Sequence, residues 1–120
     1  MRNFAWIGGP TIQAGEALSD AINLTAGIMV RITMPAHWHP DANLTFQVST
    51  DGDAFNDLVG PDGNEVMINV VNGTAMFVPD EWARSVAHIK FRSGRRDSPQ
   101  PQDDLREFAI TLLLPDTPAP

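Results

Sequence analysis

The chain of 120 residues contains no cysteine. That absence excludes a disulfide scaffold, a thiolate zinc site and a thiol nucleophile. No apolar stretch approaches the roughly 18 residues of a membrane-spanning helix. The opening MRNFAWIGGP has no long apolar core of a secretory leader, so the expectation is a chain made without a signal peptide. Positive charge is scarce: eight basic residues stand against fifteen acidic ones, for a net charge of -7. This balance argues against general nucleic-acid binding. Helical periodicity is nearly absent. No Gly-x-Ser-x-Gly elbow, phosphate-binding loop or His-Glu-x-x-His motif occurs, so the residues give no support to an enzyme.

What is present is alternation. Ile28, Val30, Ile32 and Met34 alternate with Met29, Arg31 and Thr33. The same period of two recurs at Leu44–Ser49, Val66–Val71, Ala87–Arg92 and Phe108–Leu114, and each run predicts a strand with one buried face. Weaker strands fit Glu16–Leu24, Ala54–Leu58 and Thr74–Val78. Turn chemistry separates them at Thr25-Ala26-Gly27, Asp51-Gly52-Asp53, Pro61-Asp62-Gly63 and Asn72-Gly73. Pro79-Asp80-Glu81-Trp82 suits the start of one short helical turn. With 42% hydrophobic residues, about eight strands of this spacing predict a single all-β domain, an antiparallel jelly-roll-like β-sandwich over residues 16–114. Residues 1–15 then form an N-terminal arm with Phe4, Trp6 and Ile7, which either docks on its own core or reaches a partner. Ser93–Arg106 reads as a long loop, and residues 115–120, with three prolines, as a C-terminal tail.

Charge is unevenly placed. Ile32–Ala83 has no Lys or Arg and carries Asp41, Asp51, Asp53, Asp57, Asp62, Glu65, Asp80 and Glu81. Arg84–Arg106 holds Arg84, Lys90, Arg92, Arg95, Arg96 and Arg106. The two stretches can meet within the fold or between copies. Arg31 and the trio His88, Lys90 and Arg92 occupy polar strand positions, and neighbouring strands would join them into a basic patch. Two local clusters invite a metal. His37-Trp38-His39 places two imidazoles on one side of an extended segment, but His88 is the only other histidine. Asp51-Gly52-Asp53 lacks the later ligands of a calcium loop, and a turn capped by its own Asp accounts for it. The expectation is therefore no metal, no cofactor and no catalytic residues.

VRITMPAHWHPDANLTFQVSTDGDAFNDL at Val30–Leu58, IKFRSG at Ile89–Gly94 and REFAITLLL at Arg106–Leu114 resemble small β-sandwich proteins encoded among structural genes of tailed bacteriophages, prophages and gene transfer agents. The matching positions are Met34, Pro35, Ala36 and Trp38, Leu44–Gln47, Ser49, Asp51 and Gly52, then Lys90 and Arg92–Gly94. The Phe-x-x-Ser-x-Asp-Gly-x-x-Phe stretch also resembles the discoidin or galactose-binding-like sandwich at the level of fold. The His pair around Trp38 and the longer N-terminal arm depart from the phage pattern. The resemblance implies a non-enzymatic virion structural protein: a head decoration or reinforcement, or the base of a head spike or tail attachment. It would be homo-oligomeric, would contact capsid or other virion proteins, and would have no nucleic-acid or membrane partner. Its expected contact residues are Phe4, Trp6, Ile7, Arg31, Lys90, Arg92, Arg95 and Arg96. The alternative is a carbohydrate-binding module in which Trp38 stacks on a host glycan; exposure of Trp38 separates the two.

Overall fold

The computed structural model describes residues 3–115. Ten strands and one helical turn follow in the order β1 (Asn3–Ile12), β2 (Ile22–Asn23), β3 (Ile28–Thr33), β4 (Leu44–Ser49), β5 (Asn56–Asp57), β6 (Met67–Ile68), β7 (Ala75–Phe77), α1 (Asp80–Ala83), β8 (His88–Arg95), β9 (Ser98–Pro99) and β10 (Arg106–Leu114). They form two antiparallel sheets. One has four strands in the order β1-β10-β3-β7; the other runs β2-β8-β4-β5, with β6 on β4 and β9 on β8. The expected all-β sandwich is thus observed. Its backbone is a folded ribbon: β3 pairs with β10 in one sheet, and β4 pairs with β8 in the other. Both connections, β3 to β4 and β8 to β10, change sheets.

The apolar positions explain why the layers close. Leu44, Phe46, Ile89 and Phe91 on one inner face meet Ile32, Ile110, Met29 and Phe108 on the other, all at most 3% exposed. Five rings run through this core in a chain. Trp38 meets Phe108 edge-on at 5.5 Å, Phe108 meets Phe91 at 4.9 Å, Phe91 meets Phe46 at 5.3 Å, and Phe46 meets the tilted ring of Trp82 at 5.0 Å. Such offset and edge-to-face contacts add to the burial energy of each ring.

Several expectations are corrected by this arrangement. The N-terminal segment is not an arm: Asn3–Ile12 is the edge strand β1, paired with β10 from Asn3↔Leu114 to Ile12↔Arg106. Gly9 and Pro10 interrupt its register after Gly8, and this run also disguises the strand in the sequence. Ser93–Arg106 is not one loop either. β8 continues to Arg95 and turns back into β9. Gly94, at φ +89°, permits this, because a Cβ there would stand 2.7 Å from the Gln100 nitrogen and the Ser98 oxygen. In β3 a register shift between Thr111 and Leu112 leaves Val30 without an opposite residue. Met29 rather than Val30 therefore faces the core. The strand expected at Glu16–Leu24 shrinks to β2 plus a bridge from Leu18 to Arg92. The tail expected at residues 115–120 lies outside the described residues apart from Pro115.

Candidate functional site

Arg31 and the trio His88, Lys90 and Arg92 do not form one patch. β3 lies in the four-stranded sheet and β8 in the six-stranded one, because β8 takes β4 as its partner. The basic residues of β8 are instead consumed by the acidic middle of their own chain. Lys90 Nζ sits 4.5 Å from the centroid of the Phe55 ring, a cation–π arrangement. Arg92 is buried: its Nη1 donates to Asp57 Oδ1 at 2.7 Å and its Nε to Thr45 Oγ1 at 3.0 Å. Its Nη2 faces Glu65 Oε2 at 3.6 Å. That is too long for a hydrogen bond, and Nη2 is the one buried side-chain polar atom left without a partner among the described residues. The side chains of Arg92 and Glu65 are only 7% and 6% exposed. The hydrogen bond from Arg92 holds the Asp57 carboxyl below the ordinary carboxylate range, against the opposing effect of burial. Arg95 Nε donates to Glu65 Oε1 at 3.1 Å, and the Arg96 backbone N–H donates to Glu65 Oε2 at the same distance. Lys90, Arg92 and Arg95 are therefore internal fasteners that tie β8 to the segment 55–65. The Arg96 side chain makes no hydrogen bond or ion pair among the described residues, and its charge adds to the field that favours ionised Asp57.

The conspicuous clusters resolve in the same way. Trp38 is 6% exposed, and its indole Nε1 donates to the Ala42 carbonyl at 2.8 Å. It closes one end of the core and offers no free ring face to a sugar, which removes the platform of the glycan reading. His39 Nδ1 accepts the Asp41 backbone N–H at 3.1 Å, and His37 is exposed. Among the described residues no three His, Asp or Glu side chains converge. Asp51 Oδ1 accepts from the N–H groups of Asp53 and Ala54 and from Ser49 Oγ, at 2.9, 3.1 and 3.0 Å. These donors lower its pKa, led by the Asp53 N–H. Its Oδ1 is thus engaged by its own turn.

Gln102 carries a structural role that residue type alone does not announce. It is fully buried. Its Nε2 donates to Ser93 Oγ at 2.7 Å, while its Oε1 accepts the His39 N–H at 3.1 Å and Arg106 Nε at 3.0 Å. Its own backbone bonds to Gly15 and Glu16. Through side chain and backbone together, this one residue pins the 100–106 segment, the 37–42 loop and the 13–16 turn. The Pro- and Gln-containing stretch is anchored as a consequence.

The remaining surface feature is the outer face of the four-stranded sheet. β1 presents Phe4 and Trp6 outward, at 56% and 74% exposure, and β7 presents Phe77 at 82%. Cross-strand register lines up Trp6, Thr111, Arg31 and Phe77 in one row, with Phe4 opposite Leu113 in the next. Gly8, Ala109, Thr33 and Ala75 make a row of small residues beside them. Arg31 Nη2 donates to Thr111 Oγ1 at 3.1 Å; among the described residues it makes no ion pair. A groove on this face is lined by Phe4, Val30, Arg31, Phe77, Thr111 and Leu113. Of the expected contact residues, the fold brings together Phe4, Trp6 and Arg31. Ile7 is half-buried and packs against the core, so it is not a surface anchor. Phe77 was missed. Its signal was available in the alternation of Thr74–Val78, where an aromatic falls on the outward phase. A second groove, at one end of the sandwich, is lined by Leu24, Ile28, Val86, Leu113 and Leu114, with Arg84 the one ionisable neighbour. Neither groove gathers an acid, a base and a nucleophile. Comparison with protein-family models, with curated proteins and with solved structures found no match to this chain.

Proposed function

We propose that this chain is a non-enzymatic structural protein of a tailed-phage or phage-like particle, bound to capsid or other virion proteins through the outer face of its four-stranded sheet. The observation that carries the reading is the exposure of Phe4, Trp6 and Phe77 around Arg31 on a sheet whose inner face is already packed. Isolated apolar side chains are ordinary on a protein surface. Three large aromatics on one face, with an arginine between them, have the composition of a contact patch. The resemblance of Val30–Leu58, Ile89–Gly94 and Arg106–Leu114 to virion sandwich proteins supplies the class of partner. Phe77 would act as an apolar anchor, and Arg31, which makes no ion pair among the described residues, would take a partner carboxylate.

The test is to purify particles from producing cells, identify the protein in them and locate it by cryo-electron microscopy. The expected result is density for the four-stranded sheet against a neighbouring protein, and incorporation reduced at least about tenfold by Phe77→Ser with Arg31→Ala. Absence from particles, or attachment through the six-stranded sheet, overturns the reading.

A further inference from the structure

The ends of the two sheets are unequal. β2 and β5 are two residues long and β7 is three, whereas β1 runs for ten residues at the edge of its sheet. Very short edges offer little template to an incoming strand, and long edges usually carry a lysine, a proline or a cover. β1 is covered at one end only. The Asp20 N–H donates to the Thr11 carbonyl at 3.3 Å, and the Thr11 N–H to Asp20 Oδ1 at 2.7 Å. From Asn3 to Gly9 no backbone hydrogen bond reaches the free side of β1 among the described residues. Asn3-Phe4-Ala5-Trp6-Ile7-Gly8 contains no charge and no proline. It therefore adds nothing to the net charge of -7 that opposes the approach of two copies elsewhere.

We infer that a second copy of this chain pairs with it, antiparallel, along the open edge of β1, joining two four-stranded sheets into one of eight strands. Two-fold symmetry and the alternation of faces restrict the register. Residues i and j opposite one another must share a face, so their sum is even and one residue lies on the axis opposite itself. With Ala5 on the axis, Phe4 of each copy faces Trp6 of the other on the outer surface, giving two cross-strand aromatic pairs around a small centre. Such pairs are among the favourable cross-strand contacts of a sheet. The inner-phase residues, Asn3 and Ile7, then also stand opposite one another. The exposed aromatics of β1 then line the seam of the dimer. This association does not depend on the virion reading, and it presents two copies of the Phe77 and Arg31 surface to any larger partner.

The test uses the isolated full chain. Sedimentation and light scattering from about 10 μM to about 1 mM span the range expected of a small edge-to-edge contact. The mass should rise with concentration from 13.1 kDa toward twice that value. Trp6→Lys should weaken the dimer at least about tenfold, whereas Phe77→Lys, equally exposed but on the opposite edge, should leave it intact. Because the chain has no cysteine, Ala5→Cys should yield a reducible covalent dimer on oxidation. A monomer throughout the concentration range, a dimer that survives Trp6→Lys, or equal loss from the two lysine variants overturns the inference. If Trp6→Lys lowers the melting temperature, amide exchange of the unaltered protein decides: residues 3–8 must exchange more slowly at the higher concentration, and unchanged exchange overturns the pairing. Failure here leaves particle incorporation untouched, since that is read with Phe77 and Arg31.

Discussion

Along the outer side of the six-stranded sheet, Lys90, Arg92 and Arg95 each have a partner from their own chain: the Phe55 ring, Asp57 with Thr45, and Glu65. Along the outer side of the four-stranded sheet, Arg31 has a threonine hydroxyl, and the aromatics beside it face solvent. Both faces come from alternating strands of similar length. The difference lies in what crosses them. Segment 55–65 lies against β8 and supplies its carboxylates; among the described residues no segment lies over β1, β10 and β3 in the same way. A charged side chain on a strand is thus not a binding residue by virtue of its outward phase. It is available only where no other part of the chain has reached it.

The sharpest way to test this contrast starts in the layer the two sheets share. Phe46 is fully buried and touches both Phe91 and Trp82. Phe46→Ala should cost about 3–5 kcal/mol by removing a large ring and leaving a cavity, measured by urea unfolding. Next comes Arg92→Ala, which removes the buried guanidinium that holds Asp57 and Thr45 and takes from nearly buried Glu65 one of its two arginine neighbours. Breaking one side of such a buried pair costs about 3 kcal/mol or more. Arg31→Ala, on the open face, should cost less than about 0.5 kcal/mol. Comparable losses from the two arginines would mean that the outer faces do not differ as described.

How much of this was legible follows from the range of the interactions. Alternation located β3, β4, β8 and β10, because strand facing is a local property of neighbouring residues. It even placed Phe46 inward, although Thr45 and Ser49 on the other phase are buried too. The bulge at Val30 was not legible: it arises from the pairing with β10, 80 residues distant at Arg31–Thr111. Assigning β3 and β8 to one sheet failed for the same reason. The Arg92–Asp57 contact spans 35 residues, so the sequence offered opposite charges without saying that they meet. β1 escaped recognition because it has apolar residues at nearly every position and then two glycines and a proline. That composition hides a strand whose inner phase packs on the core and whose outer phase is bare.

Asp57 gives the contrast a pH dependence. Its carboxyl titrates below the ordinary range because Arg92 donates to its charged form. A group depressed on folding stabilises the protein above its unfolded pKa of about 3.9, and that contribution is lost as pH falls through the folded value. The side chain is 34% exposed, so solvent screens it and the effect should be about 1 kcal/mol. Asp57→Asn should lower the melting temperature at pH 7 and converge on the unaltered protein as the pH falls below about 4. A constant difference at every pH would show that the pair is not what titrates.

The smallest expected effect on stability is the most telling for function. Phe77 is 82% exposed, lies on a three-residue edge strand, and shares its row with Arg31. Phe77→Ser removes apolar surface that was never buried in the single sandwich, so urea unfolding should register less than about 0.5 kcal/mol. The inward neighbour Met76 is half-buried against the core, and Met76→Ser in the same strand should be clearly more destabilising. The pair separates folding from contact within three residues of chain. If Phe77→Ser destabilises the isolated domain as much as Met76→Ser, the ring serves its own fold, and the outer face loses its principal anchor. If it leaves the domain unchanged and only partner binding falls, then the solvent-facing ring is there for a second molecule.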